Sequence, residues 1–238
     1  MSTNAAIDRQ PLSLFSALVI QGAINETILP AYVFETGAEL ITSFDPTFVL
    51  MERIAAGERA DVLVAISSNI DELIATGILS SNGRVELVST GVGLAVLSGA
   101  SRPDISSVAD LKQTLLNARS VAYSRTGASG IYFSLLLDQL GIADQVNAKA
   151  TIITKGLIAE ALLNGSADIA VQQLSELRTV PGVDVIGPLP EPVQHITNFS
   201  AAVFIHAAGN PDAATLLAAL VSNKAKDAYR SYGLSTSE

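Results

Sequence analysis

Short apolar runs alternate with helix-periodic segments along almost the whole chain, and this alternation limits the fold more than any other feature. "LSLFSALVI" (12–20), "GAELITSF" (37–44), "ADVLVAI" (60–66), "SVAYS" (120–124), "ATIIT" (150–154) and "DIAVQQ" (168–173) have the apolar character of strands. Between them lie helical spacings: 22–35, broken or kinked at Pro30, and 47–56, ended by Gly57 in a left-handed cap. "NIDELIATG" offers Asn69 as N-cap and Gly77 as terminator, and Ser107 with Asp110 resembles a capping box for "SSVADLKQTLLN". Helices at 129–140 and over "GLIAEALLNG" continue the pattern. "RVELVSTGVGLAVLSG" reads as a long interrupted strand, "NFSAAVFIHA" as a last strand, and one long helix follows from about Pro211. "SGASRPDIS" and "VPGVDVIGPLPEPV" are the loop-rich stretches. Strand–helix alternation of this kind predicts an α/β fold with mainly parallel sheets.

In such sheets, ligands bind beyond the carboxyl ends of the strands. Those ends are polar here: "SSN" after "VLVAI", "SRTGASG" after "VAY", "TKG" after "TII" and "QQLSE" after "IAV". In "VAYSRTGASGIYFSLLLDQLG" (121–141) a small, glycine-rich turn opens a helix, where uncovered N–H groups attract anions. Ser124, Thr126, Ser129 and Gly130 are the expected donors, and Arg125 either clamps a carboxylate or stands in solvent. Strand alternation sends Gln172 and Gln173 to opposite faces, so at most one is expected to reach a ligand. Thr47 either caps a helix or binds the anion, and Ser67 and Ser68 stand at the same edge. Acidic residues on helices, such as Glu160 and Asp138, read as solvated faces.

Composition removes several function classes. The net charge of −9 argues against nucleic acid as a partner. With no cysteine there is no disulfide, thiolate or cysteine-based metal site. The two histidines, His195 and His206, lack ligand spacing, so neither a metal nor a cofactor is expected. No stretch is long enough to span a bilayer, and Asp8 and Arg9 interrupt the run where a signal peptide would be apolar. The expected location is cytoplasmic, or periplasmic if the initiator methionine replaces a removed signal.

The order of elements resembles the type II periplasmic solute-binding proteins, molybdate-binding branch, from about Leu12 to Leu234. "LPAYVFETGAELITSF", "RIAAGERADVLVAISSNIDELIATG" and "ALLNGSADIAVQQLSEL" carry the general likeness. "STGVGLAVLSGASRPDISSVADLK", "SVAYSRTGASGIYF" and "VQQLSELRTVPGVDVIGPLPEPVQ" are similar to the subgroup that includes aconitate isomerase. The resemblance implies a two-lobed fold, each lobe a mainly parallel sheet flanked by helices, with an anion held in the cleft between lobes. Lobe one would be discontinuous, 1–88 plus 205–238, and lobe two 98–197, with crossover strands near 86–97 and 198–207.

Two departures count against a tetrahedral oxyanion. Val19 stands where molybdate binders carry a serine, leaving Ser16 as the nearest hydroxyl, and "SFDPTF" replaces a glycine- and serine-rich loop. Asp45 within it would repel a dianion unless it points away or acts as a base. The resemblance thus implies an isomerase moving a proton across an unsaturated di- or tricarboxylate, with Asp45, Tyr123, Lys155 and His195 as candidate bases. The alternative is the substrate-binding component of an ABC transporter for a carboxylate or an oxyanion such as molybdate, with a permease as partner.

Overall fold

The computed structural model describes residues 10–236. Its first half runs β1 (Leu12–Ser16), a 3-10 turn, α1 (Gln21–Ala23), a π turn (Ile24–Ile28), α2 (Leu29–Thr36), β2 (Leu40–Phe44), α3 (Thr47–Ala55), β3 (Val62–Ile66), α4 (Ser67–Ala75) and β4 (Val85–Leu97). Then follow α5 (Val108–Asn117), β5 (Val121–Ser124), α6 (Ala128–Gln139), α7 (Ala143–Asn147), β6 (Thr151–Ile153), α8 (Glu160–Leu163), β7 (Ile169–Gln173), α9 (Leu174–Thr179) and β8 (Val183–Pro188). The chain closes with β9 (Ile196–Val203), α10 (Pro211–Leu220), α11 (Asn223–Ser231) and β10 (Ser235–Thr236).

Two mixed sheets share one strand. β1 pairs in parallel with β2 and β3, and β9 lies antiparallel between β3 and the first half of β4. The second half of β4 lies antiparallel to β7 and β8, and β5 pairs in parallel with β6 and β7. β4 therefore passes from one sheet into the other, and the strand path is unbroken only through it. A register shift between Glu86 and Val88 marks the strand's entry into the first sheet, as expected of a strand that bends.

Strand alternation builds the core of each lobe. In the first sheet Leu12, Leu14, Val62, Val64, Ala201 and Val203 point to one apolar cluster, under Ile24, Ile28, Leu216 and Tyr229. Phe15, Leu63, Ala65 and Ala202 point the other way, against Leu50, Ile54 and Ile70. The second sheet repeats this with Leu94, Val121, Tyr123 and Val171 facing Leu111, Phe133 and Leu137, and with Ala95, Ala122 and Ala170 facing Ile158 and Leu162. Both faces of these strands are covered, which is why they read as continuous apolar runs. Among the described residues no apolar cluster joins the two sheets, and the architecture is a two-lobed α/β fold. We propose 1–88 plus 205–238 and 98–197 as the lobe limits, though residues 1–9 and 237–238 lie outside the described residues.

Several local expectations change. "LSLFSALVI" is a strand only to Ser16, after which the chain turns into a 3-10 helix at Leu18–Ile20. Pro30 sits in the first turn of α2, and the break it imposes takes the form of the π turn just before it. Asn69 is not an N-cap: α4 starts directly at Ser67, with Ile66 in the cap position. "VPGVDVIGPLPEPV" contains strand β8, and the C-terminal helix is two, because Ser222 caps a new start by accepting from the Ala225 N–H. Ser107 does accept from the Asp110 N–H, as a capping box requires.

Candidate functional site

Parallel strands deliver their carboxyl ends to one edge. In the first sheet these ends are Ser16, Phe44 and Ile66, and in the second Ser124, Ile153 and Gln173. The segments leaving them meet around a small buried cavity lined by Ala17, Leu18, Pro46 and Thr47 from the first lobe and by Phe199 from β9. The second lobe contributes Ser124, Gly127, Ala128, Ser129, Gly156, Gln172, Gln173 and Glu176. Its water-accessible space is about 20 Å³, room for roughly one water molecule. A larger, open groove of about 540 Å³ lies at the opposite ends of β5 and β7, near Arg119 and Asp168. It borders the amino ends of those strands, so the cleft is the better candidate site.

The turn after β5 is built by its own side chain. Ser124 Oγ accepts from the N–H groups of Thr126 (3.1 Å) and Gly127 (3.2 Å), which folds the chain back into α6. The helix then passes so close to the strand end that a β-carbon on Gly130 would lie 1.7 Å from the Ser124 carbonyl oxygen. Gly130 is thus a packing requirement, and it is absent from the cavity wall. Ala128 and Ser129 do border the cavity, at the helix start where N–H groups lack an acceptor four residues back. Ser129 is buried, and so is Thr47, the first residue of α3.

The glutamine pair departs from simple alternation. Both residues line the cavity, because β7 ends at Gln173 and the chain turns at once into α9. Gln172 Oε1 accepts from the Ile158 N–H at 2.8 Å, which fixes it. Gln173 Nε2 donates to Thr197 Oγ1 at 3.1 Å, while its buried Oε1 has no partner. A half-turn of this amide would aim Nε2 at the cavity and let Thr197 donate instead.

Other expected residues stand elsewhere. Ser16 Oγ donates to the Ala17 carbonyl, and Thr126 Oγ1 donates to the Thr154 carbonyl. Ser67 bonds Ser200 (2.6 Å) and Glu86, and Ser68 is exposed on α4. Arg125 is exposed and does not reach the cavity. None of the four candidate bases lines it either. Tyr123 is a core residue that donates to Asn147 Oδ1, and His195 is exposed, its ring stacked on Tyr132 at 4.6 Å. Asp45 is buried with its charge answered twice, by Arg53 at 2.8 Å and Lys155 at 2.9 Å. That pairing offsets the repulsion expected of Asp45, and Lys155 spans from the second lobe to the first.

Glu176 is the site residue that the sequence reading missed. It is 8 % exposed, the third residue of α9, and it lines the cavity. Burial pushes its carboxyl up to about 8, against smaller opposing effects of hydrogen bonds from the Gln172 side chain and the Gln173 backbone. Its place in "QQLSE", just past a strand end, was the available signal, but the sequence reading named only the two glutamines there.

A family model for bacterial extracellular solute-binding proteins matches residues 12–235. The chain belongs to this family. Over 230 residues, covering 94% of this chain and 87% of the relative, it is 36% identical to an aconitate isomerase from a Pseudomonas species. The periplasmic molybdate-binding protein of Azotobacter vinelandii has a similar fold, with TM-score 0.78 at 15% identity, covering 95% of this chain and 100% of that one. A sulfate-binding protein from Mycobacterium tuberculosis gives TM-score 0.71 at 15% identity, covering 95% of this chain and 86% of that one. The type II solute-binding fold is therefore shown. The family is extracellular, and the solved relatives include periplasmic proteins, which corrects the cytoplasmic expectation. That expectation rested on Asp8 and Arg9, which lie outside the described residues.

Among the described residues no group of three or more His, Cys, Asp or Glu could hold a metal ion, and no helix is long and apolar enough to cross a membrane.

Proposed function

We propose that this solute-binding protein closes its two lobes on a small carboxylate anion and presents it to an ABC permease. The observation that carries this reading is the make-up of the cavity wall. Both lobes contribute, the neutral polar groups are the hydroxyls of Thr47, Ser124 and Ser129, two glutamines and the start of a 12-residue helix, the carboxyl is that of Glu176, and among the described residues no lysine or arginine lines it. Neutral donors and helix-start amides bind anions through directed hydrogen bonds. A space of about 20 Å³ is smaller than any carboxylate, so the lobes part to admit the ligand and close again around it.

Titration calorimetry tests this with aconitate, sulfate and molybdate. A carboxylate response that Ser129→Ala weakens by about ten- to a hundredfold supports the reading, since one charge-assisted hydrogen bond is worth roughly 1.5–3 kcal/mol. Arg125→Ala, off the cavity wall, leaves the affinity near that of the parent.

A second reading, a cofactor-independent isomerase, is favoured by the 36% identity to an aconitate isomerase over nearly the full chain. Such a protein removes a proton from the carbon beside one carboxylate, shifts the double bond and returns a proton at the far end of the allylic system. Incubation with one aconitate isomer, followed by proton NMR, decides between the readings. Conversion supports the isomerase, and binding without conversion supports the carrier.

A further inference from the structure

We infer that Glu176 carries a proton into the closed cleft and donates it in a hydrogen bond to the ligand, so that this protein takes up its anion together with a proton. The inference deepens the anion-cleft reading and rests on it.

Charge balance in the cavity leads to this conclusion. Among the described residues Glu176 is the single ionisable side chain in the cavity wall, and it is buried there, as are Thr47, Ser129 and Gln173 in the same wall. No ion pair among the described residues includes it. An anion entering the same small space would meet an ionised carboxylate held by the Gln172 side chain and the Gln173 backbone but with no cation to offset its charge, and two like charges at contact distance do not both stay ionised. With the proton on, the same side chain changes from a repelling group to a donor, and a carboxylic acid facing an oxyanion forms a short, strong hydrogen bond. Burial already favours the protonated form before any ligand arrives.

The surroundings leave Glu176 as the group that titrates. The neighbouring β7, the 3-10 turn at Leu18–Ile20 and α1 carry no ionisable residue. On β4 and β8 the acidic groups are Glu86, bound to Arg84 and Ser200, and Asp184, bound to Ser98 and Gly99. On α9 itself Arg178 extends to the backbone of Gly233. Across the cleft, Asp45 is occupied by Arg53 and Lys155, and Arg125 lies outside the wall.

The test is binding of aconitate and of sulfate to the full chain at pH 6.5 and pH 9.5, a range in which sulfate keeps its charge and aconitate is mainly the trianion. For a carboxyl titrating at about 8, the dissociation constant rises by about thirtyfold across that range. Calorimetry in two buffers of different ionisation enthalpy then finds close to one proton taken up per ligand at pH 9.5 and almost none at pH 6.5. Glu176→Gln keeps a donor at the same place but cannot ionise, so its affinity is flat with pH and its proton uptake vanishes. A flat profile in a parent protein that binds aconitate overturns the inference and leaves the cleft reading standing, and so does a Glu176→Gln protein that keeps the slope. If neither probe binds at either pH, both fall. The proton count needs no variant, so a poorly folding substitution does not shield the inference.

Discussion

At the scale of single residues, two buried carboxylates have been given opposite environments. Asp45 is answered by two cations, whereas Glu176 sits in a cavity lined by none. The difference appears in stability against pH. The Glu176 carboxyl is raised to about 8 in the folded protein against an ordinary 4.5. Between those values the folded chain holds a proton that the unfolded chain releases, so this group's contribution to stability falls as pH rises from about 4.5 to 8 and is constant above that. Thermal melts of Glu176→Gln and the parent therefore coincide most closely near pH 5, and the variant gains in melting temperature by pH 8. A gap that stays constant contradicts this. Asp45 responds differently. Arg53→Met removes its half-buried partner and the guanidinium stacked 4.2 Å over the Phe15 ring, leaving Lys155 as the remaining cation. The expected loss is about 2 kcal/mol, roughly 4–8 °C in melting temperature for a chain of this size. A loss below about 0.5 kcal/mol would show the pair to be inert. Sequence reading singled out Thr47, Ser124, Ser129 and the two glutamines, which now stand in the cavity wall, because all lie at or just past strand ends, but it assigned no role to Glu176. Whether a helical glutamate faces water or a cleft depends on what packs across from it, and that is set by the other lobe.

At the scale of elements, the strand-to-helix turn at 124–130 is held by geometry that tolerates no side chain at one place. A β-carbon on Gly130 would lie 1.7 Å from the Ser124 carbonyl oxygen, and backbone cannot yield as a flexible side chain does. Gly130→Ala is expected to displace α6 or destabilise the fold by about 3 kcal/mol, measured by denaturant unfolding. Full stability with unchanged binding would show that the helix can slide. Most elements were legible because their apolar periodicity is strong: β3 and β7 are buried on both faces, and Gly57 and Gly77 end α3 and α4 with positive φ. What sequence hid was element identity where local chemistry is ambiguous. β8 lies in a proline- and glycine-rich stretch because it is an edge partner of β4, where proline is tolerated. The break at Ser222 was masked by the helical spacing on either side of it.

At the scale of the whole molecule, closure is a matter of what bridges the lobes. The Lys155–Asp45 pair is such a bridge, with the lysine side chain 70% exposed and the aspartate 2% exposed. An exposed partner limits its worth to about 0.5 kcal/mol. Lys155→Met should speed ligand release by about twofold in stopped-flow experiments while leaving the melting temperature nearly unchanged. A tenfold change would make the pair a principal latch. The central claim is that the closed cleft binds a small carboxylate through neutral donors from both lobes. Calorimetric titration with aconitate at pH 6.5, set beside molybdate and repeated on Ser129→Ala, tests it most directly. The account predicts a carboxylate isotherm tighter than that of molybdate and weakened at least about tenfold by the substitution. Tight molybdate binding with no carboxylate response would contradict it.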